Sequence, residues 1–175
     1  QNYGGERSLY KHAQYHEFLK TATPEEKKYF SFSTIRNPMD IVVSKYFKYK
    51  NNHKGYIDKK IIHGKMRRLM SGPEKARRDF ILSHDADFET FFMRFYKLPY
   101  SSWSLVNHHK LDFVMRFEHL ADSFEEVLHR MNIEPVRRLP LFNKTGDKKK
   151  HFSEYYATPE VRRRAVKVFG PYMRS

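Results

Sequence analysis

The strongest constraint on the fold is a strand-to-helix junction within residues 32–46, which read FSTIRNPMDIVVSKY. Phenylalanine alternates with serine over Tyr29–Ile35, which is typical of a β-strand. Asn37 and Pro38 follow, and they form a helix start because Asn is a favoured N-cap and proline suits the first helical position. We therefore predict a strand that leads directly into a helix from Pro38 to about Tyr49.

The rest of the chain repeats these two patterns. Apolar periodicity and capping residues predict further helices at 8–20, Lys59–Leu69, Pro73–Leu82, Asp87–Tyr96, Asp122–Met131 and Pro159–Phe169, with a second strand at Leu111–Phe117. Asp122 is the expected cap of its helix, and Gly170-Pro171 is the expected end of the last one. Alternating strands and helices predict an α/β fold with a mainly parallel sheet. Ligands of such sheets bind at the carboxyl ends of strands, here Ile35-Arg36 and Arg116-Phe117.

Composition limits the class of protein. The 175 residues suffice for one domain, and we predict that residues 1–175 form a single domain. The net charge of +14 predicts a polyanionic partner, which could be a nucleic acid, an acidic glycan, an anionic membrane surface or a phosphorylated cofactor, although a basic surface can also serve solubility alone. The chain has no cysteine, which excludes disulfides, Cys-ligated zinc and thiol catalysis. No apolar run approaches the roughly 20 residues of a membrane span.

The strand-to-helix corner has the chemistry of an anion site. A helix N-terminus offers N–H groups and partial positive charge, and Arg36 adds a fork of donors that matches phosphate oxygens. Ser44 lies about two turns into the helix, and its side chain leans back toward the N-terminus. A phosphate could therefore lie between Arg36 and Ser44. The alternative is that Arg36 pairs with Asp40 and that Ser44 bonds to a carbonyl of its own helix.

Three stretches of this sequence resemble sulfotransferases that use 3′-phosphoadenosine-5′-phosphosulfate (PAPS). RNPMDIVVSKY is similar to the family's 3′-phosphate motif, in which an arginine at a strand end and a serine eight residues later bind the phosphate. DFVMRFEHLADSFEEVLHRM is similar to the family's DF-x-x-RFE-x-L strand and the amphipathic helix after it. LPLFNKTGDKKKHFSEYYATPEVRRRAVKVFG resembles the C-terminal segment of carbohydrate-type members.

The resemblance implies a fold, a cofactor and several site residues. The fold would be α/β and P-loop-like, with three layers in which helices flank a central, mainly parallel sheet. PAPS would be the sulfuryl donor and 3′-phosphoadenosine-5′-phosphate (PAP) the product. The implied cofactor-binding residues are Arg36, Ser44, Lys144, Thr145 and Phe117, although Phe117 could equally belong to the core. The implied catalytic base is His12, with His16 and Glu17 as alternatives.

The implied acceptor is anionic or a carbohydrate, with a hydroxyl or an amine as the group that receives sulfate. Residues 51–100 correspond to a variable helical region on the acceptor side. Arg67 and Arg68, together with Lys75, Arg77 and Arg78, could line a groove for an acidic glycan. Trp103 and Tyr100 could stack on a sugar ring. No spacing of His, Asp or Glu indicates a metal site.

One family signature has no counterpart in this sequence. The 5′-phosphosulfate loop, a P-loop-like stretch that carries lysine and Ser/Thr, is missing, and we expect about 30 or more residues with one strand-loop-helix unit to precede Gln1. Two alternatives remain, a non-catalytic sulfotransferase-like scaffold and a basic module that binds nucleic acid or another polyanion. No RRM, KH, zinc-finger or recognition-helix pattern supports nucleic acid. The expected location is the cytoplasm, or the Golgi lumen if an N-terminal anchor precedes Gln1.

Overall fold

The structure, a computed structural model, describes residues 15–51, 60–62, 65–67, 72–101, 108–140 and 148–173. These residues form six α-helices and four β-strands, which in chain order are α1 (Tyr15–Thr21), β1 (Phe32–Ile35), α2 (Pro38–Lys50), β2 (Lys60–Ile62), β3 (Lys65–Arg67), α3 (Gly72–Ser83), α4 (Phe88–Phe95), β4 (Phe113–Arg116), α5 (Leu120–Arg130) and α6 (Pro159–Met173). The described part of the chain is therefore α/β, which confirms the predicted class. None of its helices has both the length and the apolar character needed to cross a membrane.

The chain divides into two compact units. The first unit comprises Gln1–Arg36 and Ser101–Pro140, and the second comprises Asn37–Tyr100 and Leu141–Ser175. One boundary between the units is the peptide bond from Arg36, in the first unit, to Asn37, in the second, and it lies between β1 and α2.

The sheet of the first unit is the parallel pair β1–β4. Its register places Phe32 opposite Phe113 and Ile35 opposite Arg116, so the carboxyl ends of both strands lie at the same edge. α5 follows β4 and packs back on it, with the Arg130 guanidinium 4.6 Å from the centroid of the Phe113 ring. The prediction that the two strands are parallel is therefore confirmed.

Asp112 anchors the beginning of this strand pair. Its Oδ2 accepts hydrogen bonds from the Ser31 backbone N–H at 2.8 Å and from the Ser31 hydroxyl at 2.7 Å. These bonds favour the charged carboxylate and lower the pKa of Asp112 below its ordinary value of 3.8. One side chain thus fixes the register at the point where the strands enter the sheet.

The second unit is built around packed aromatic rings. Its core combines Val42, Val43, Tyr46 and Tyr49 of α2, Ile81 of α3, Phe88, Phe91 and Phe92 of α4, Tyr156, and Val161, Ala165, Val168 and Phe169 of α6. The Phe92 ring lies 5.1 Å from Tyr156 and 5.8 Å from Phe169, measured between centroids. Aromatic pairs at such distances add to the gain from burial. This core holds α2, α4 and α6 together.

One predicted helix is wrong. The sequence at Lys59–Leu69 was expected to be helical, but the described residues there form an antiparallel hairpin in which Lys60 pairs with Arg67 and Ile62 with Lys65. The basic residues suggested an exposed helix. Two adjacent isoleucines and the following Gly64 are the local signals that favour a hairpin instead.

Two helix boundaries also differ from prediction. α5 begins at Leu120, directly after a 3₁₀ turn at Phe117–His119, so Asp122 lies in the first turn rather than at the cap. There its negative charge still suits the positive end of the helix. α6 continues past Pro171 to Met173 because Tyr172 is buried, with its ring 5.2 Å from that of Tyr100. Proline costs less near a helix end, where few backbone bonds remain to be lost.

Replacement of Asp112 by alanine should lower the free energy of unfolding by about 1 kcal/mol at pH 7, because two Ser31 donors lose their acceptor at an exposed site. The pKa of Asp112 is depressed in the folded state, so its contribution is fully present above pH 3.8 and is lost as pH falls through the folded-state pKa. Urea unfolding at several pH values measures both effects. Glu134→Ala, at an exposed loop position, serves as the control.

Candidate functional site

The parallel register brings two predicted site residues together at the edge of the sheet. Ile35 of β1 pairs with Arg116 of β4. Arg36 and Phe117 are the residues that directly follow this pair. The Arg36 guanidinium lies 4.5 Å from the centroid of the Phe117 ring, a cation–π distance. Phe117 is 44% exposed, so its ring belongs to the surface of the first unit and not to the core.

The helix after this strand begins as the sequence predicted. The Asn37 side-chain oxygen accepts a hydrogen bond from the Met39 N–H at 2.9 Å, and Pro38 occupies the first turn. Asp40 follows in the same turn and is buried. Ser44 lies two turns into α2 and is half-buried. Arg36 thus directly follows a strand, Asn37 caps a helix and Ser44 lies within that helix, as the sequence predicted.

The C-terminal segment lies against the first turn of α2 within the second unit. Lys148 forms an ion pair with Asp40, whose side chain is 9% exposed against 20% for the lysine. The Tyr156 hydroxyl donates a hydrogen bond to the Met39 carbonyl at 3.1 Å. Two stretches separated by more than 100 residues in sequence, both singled out above, are thus in direct contact.

Sequence reasoning missed the role of Lys148. A run of three lysines at 148–150 is typical of a solvated loop, and Lys149 and Lys150 are indeed exposed. Lys148 instead turns inward to a buried carboxylate and lies 5.5 Å from the centroid of the Phe152 ring. No local signal separates it from its neighbours, since its partner is 108 residues away.

His108 is a second residue that the sequence pattern did not single out. Its Nδ1 is buried and has no hydrogen-bond partner within the part of the chain that the structure describes. Desolvation by burial lowers the pKa of His108 below its ordinary value of 6.5. Burial of this imidazole therefore favours its neutral form.

The other predicted site residues are placed only in part. His12, Arg68, Trp103, Lys144 and Thr145 lie outside the described residues. Arg67 lies in β3 of the hairpin, where a helix had been expected. The alternative base His16 is exposed on α1. Among the described residues no group of three or more His, Asp or Glu side chains could hold a metal ion.

Comparison with known proteins decides the family. A family model described as "Sulfotransferase family" matches residues 5–172, nearly the whole chain. The chain belongs to the sulfotransferase family. No curated protein and no solved structure matches it. The resemblance of the three sequence stretches is thereby confirmed at the level of the family, and membership supports sulfuryl transfer as the class of reaction.

Replacement of Lys148 by methionine should destabilise this sulfotransferase by about 2–3 kcal/mol, because the buried carboxylate of Asp40 loses a paired charge. Lys149→Met, at the exposed neighbouring position, should change the free energy of unfolding by less than about 0.5 kcal/mol. Chemical denaturation measures both. Adding Asp40→Asn to Lys148→Met should restore part of the loss, and a double variant that is additive would contradict the pairing.

Proposed function

We propose that this sulfotransferase moves a sulfuryl group from PAPS to a hydroxyl or amine of an anionic or carbohydrate acceptor. The observation that carries the proposal is the end of β1, where Arg36 stacks on the exposed ring of Phe117 one residue before the cap of α2. Family membership makes sulfuryl transfer the reaction class. A guanidinium beside an aromatic face suits a ligand that combines a phosphate with a purine.

Arg36 and Ser44 bind the 3′-phosphate of the nucleotide in this proposal. A guanidinium supplies two parallel N–H donors to phosphate oxygens, and a serine hydroxyl supplies one more. The first turn of α2 adds partial positive charge, which favours a dianionic group nearby. Support comes from the order of β1, Arg36, Asn37 and α2 along the chain.

Phe117, Lys144 and Thr145 complete the proposed cofactor contacts. The exposed face of Phe117 offers a stacking surface for adenine. Lys144 and Thr145 lie outside the described residues, and we assign them from the resemblance of their stretch to the C-terminal segment of the family. They precede Lys148 in sequence by four and three residues, and Lys148 pairs with Asp40 in the first turn of α2.

The reaction requires a base and positive charge on the leaving group. As the acceptor oxygen or nitrogen forms its bond to sulfur, it gives up a proton, and the bond between sulfur and the 5′-phosphate oxygen breaks to release PAP. We assign His12 as the base that accepts the proton from the acceptor, since a neutral imidazole accepts protons near pH 7. Arg67, Arg68 and Trp103 are the proposed acceptor contacts, where cations meet acidic groups and the indole stacks on a sugar. We also propose that one domain with the family's three-layer arrangement contains the whole site.

Calorimetric titration with PAP tests the cofactor assignment. The wild type should bind PAP, and Arg36→Ala should weaken binding by roughly tenfold to a hundredfold, as expected for loss of hydrogen bonds to a charged group. Ser44→Ala should cost about threefold to tenfold because it removes one neutral donor. Arg137→Ala, an exposed arginine of the first unit, should leave the affinity nearly unchanged.

A comparison of PAP with adenosine 5′-phosphate isolates the 3′-phosphate. The wild type should prefer PAP, and Arg36→Ala should lose most of that preference while it retains its affinity for adenosine 5′-phosphate. Absence of PAP binding by the wild type, or the same preference in Arg36→Ala, would refute the assignment. PAP binding without transfer from PAPS to any acceptor in a panel of acidic and neutral glycans would favour the non-catalytic scaffold.

His12→Gln tests the assignment of the base. Loss of a general base should lower the turnover number by roughly 10²–10⁴-fold and leave the affinity for PAP unchanged. PAP release from PAPS in the presence of the glycan panel measures the rate, and His16→Gln is the matched control, since His16 is exposed on α1. A larger loss in His16→Gln than in His12→Gln would transfer the role to His16.

A further inference from the structure

Basic side chains of α2 and α3 come together in the second unit. Lys45 of α2 and Arg77 and Arg78 of α3 make up what we call the α2–α3 cationic cluster. The two helices pack against each other, and Ile81 of α3 is buried on the face that carries Arg77 and Arg78 at i−4 and i−3. Both arginines are half-buried, and Arg77 is near enough to Lys45 of α2 for its charge to act on that lysine.

The cluster carries more positive than negative charge. The pKa of Lys45 is lowered, first because burial desolvates the ammonium and second because the positive charge of Arg77 is near. Lys48 acts in the same direction, and Glu74 is the one carboxylate with a resolved opposing effect. The closest other acid on α3, Asp79, forms an ion pair with Lys75. Positive charge in this cluster is thus only partly compensated.

Two donors in the cluster lack an acceptor. The Nε atoms of Arg77 and Arg78 are buried, and neither has a hydrogen-bond partner in the ranges that the structure describes. The Arg77 guanidinium lies 5.7 Å from the centroid of the Phe95 ring, so α4 presents an aromatic ring to this group. A buried donor without an acceptor is costly, and two such donors beside a net positive charge favour binding of an anion from solution.

We propose that the α2–α3 cationic cluster binds a tetrahedral oxyanion, either free sulfate or phosphate or the same group carried as a monoester on a larger molecule. An arginine presents its Nε–H side by side with a terminal N–H, which matches two oxygens of such a group. Arg77 and Arg78 supply donors from α3, and Lys45 supplies donors from α2. The four oxygens of a tetrahedral anion can accept hydrogen bonds from both helices at once.

This site is separate from the proposed 3′-phosphate corner. Lys45 directly follows Ser44, but successive residues of an α-helix project about 100° apart around its axis, so the Lys45 side chain leaves α2 in a different direction from the Ser44 hydroxyl. The inference therefore does not depend on PAP binding. If the proposed function holds as well, the monoester bound by the cluster would be a sulfate or phosphate group that the acceptor already carries before the reaction.

Titration of the full chain with inorganic sulfate, in a buffer of large weakly binding anions, tests the proposal. Arg77→Gln/Arg78→Gln should weaken sulfate binding by roughly tenfold to a hundredfold, since hydrogen bonds to a charged group are lost. Arg163→Gln/Lys167→Gln removes two positive charges from the exposed face of α6 and should change the affinity by less than about twofold. Circular dichroism checks that each variant is folded.

A lysine variant keeps the test decisive if the glutamine variant unfolds. Arg77→Lys/Arg78→Lys retains both charges and loses the paired donors, and it should still bind sulfate several-fold more weakly than the wild type. Wild-type protein that does not bind sulfate, equal losses in the α3 and α6 variants, or a lysine variant with wild-type affinity would each overturn the proposal.

Further titrations separate the sources of the anion and the two proposals. A sulfated disaccharide that binds more tightly than inorganic sulfate identifies a monoester, and equal affinity identifies the free anion. The unsulfated disaccharide should not compete with sulfate. Saturation with PAP should leave sulfate affinity unchanged, and sulfate binding in a protein that does not bind PAP would refute the cofactor assignment and support the cluster alone.

Discussion

Aromatic packing inside the second unit is the interaction on which most of the described structure depends. Tyr46, Phe88 and Phe92 bring α2 and α4 together, and Tyr156 and Phe169 add the C-terminal segment and α6. Burial of rings this large is the main source of favourable free energy in such a core. The position of α2, and with it of Ser44 and Lys45, follows from this packing.

Polar contacts then give the packed helices their specific alignment. Asp40 meets Lys148 in the first turn of α2, and the Tyr156 hydroxyl bonds to the Met39 carbonyl. In the first unit Asp112 aligns β1 with β4 through Ser31, and as a result Arg36 and Phe117 lie side by side. Within each unit, these contacts place residues from distant parts of the chain side by side.

Much of the fold could be predicted because its signals are local. Asn37 and Pro38 start α2 where their chemistry requires, and Asp87 caps α4 by accepting from the Thr90 N–H at 2.8 Å. The hairpin of β2 and β3 could not be predicted in this way, because its basic residues suit an exposed helix as well as a strand. The extension of α6 past Pro171 depends on the burial of Tyr172 against Tyr100, a contact across more than 70 residues that no local pattern reveals.

The sequence by itself determined the family, the strand-to-helix corner and the spacing of Arg36 and Ser44, because caps, periodicity and motif order are properties of neighbouring residues. Tertiary structure alone decided that Phe117 is exposed beside Arg36 and that Lys148 is buried against Asp40. It also decided that the buried Nε groups of Arg77 and Arg78 find no acceptor among the described residues. The physical reason is that burial and charge pairing depend on which distant segments meet, and a cation has the same local sequence whether it faces water or a carboxylate.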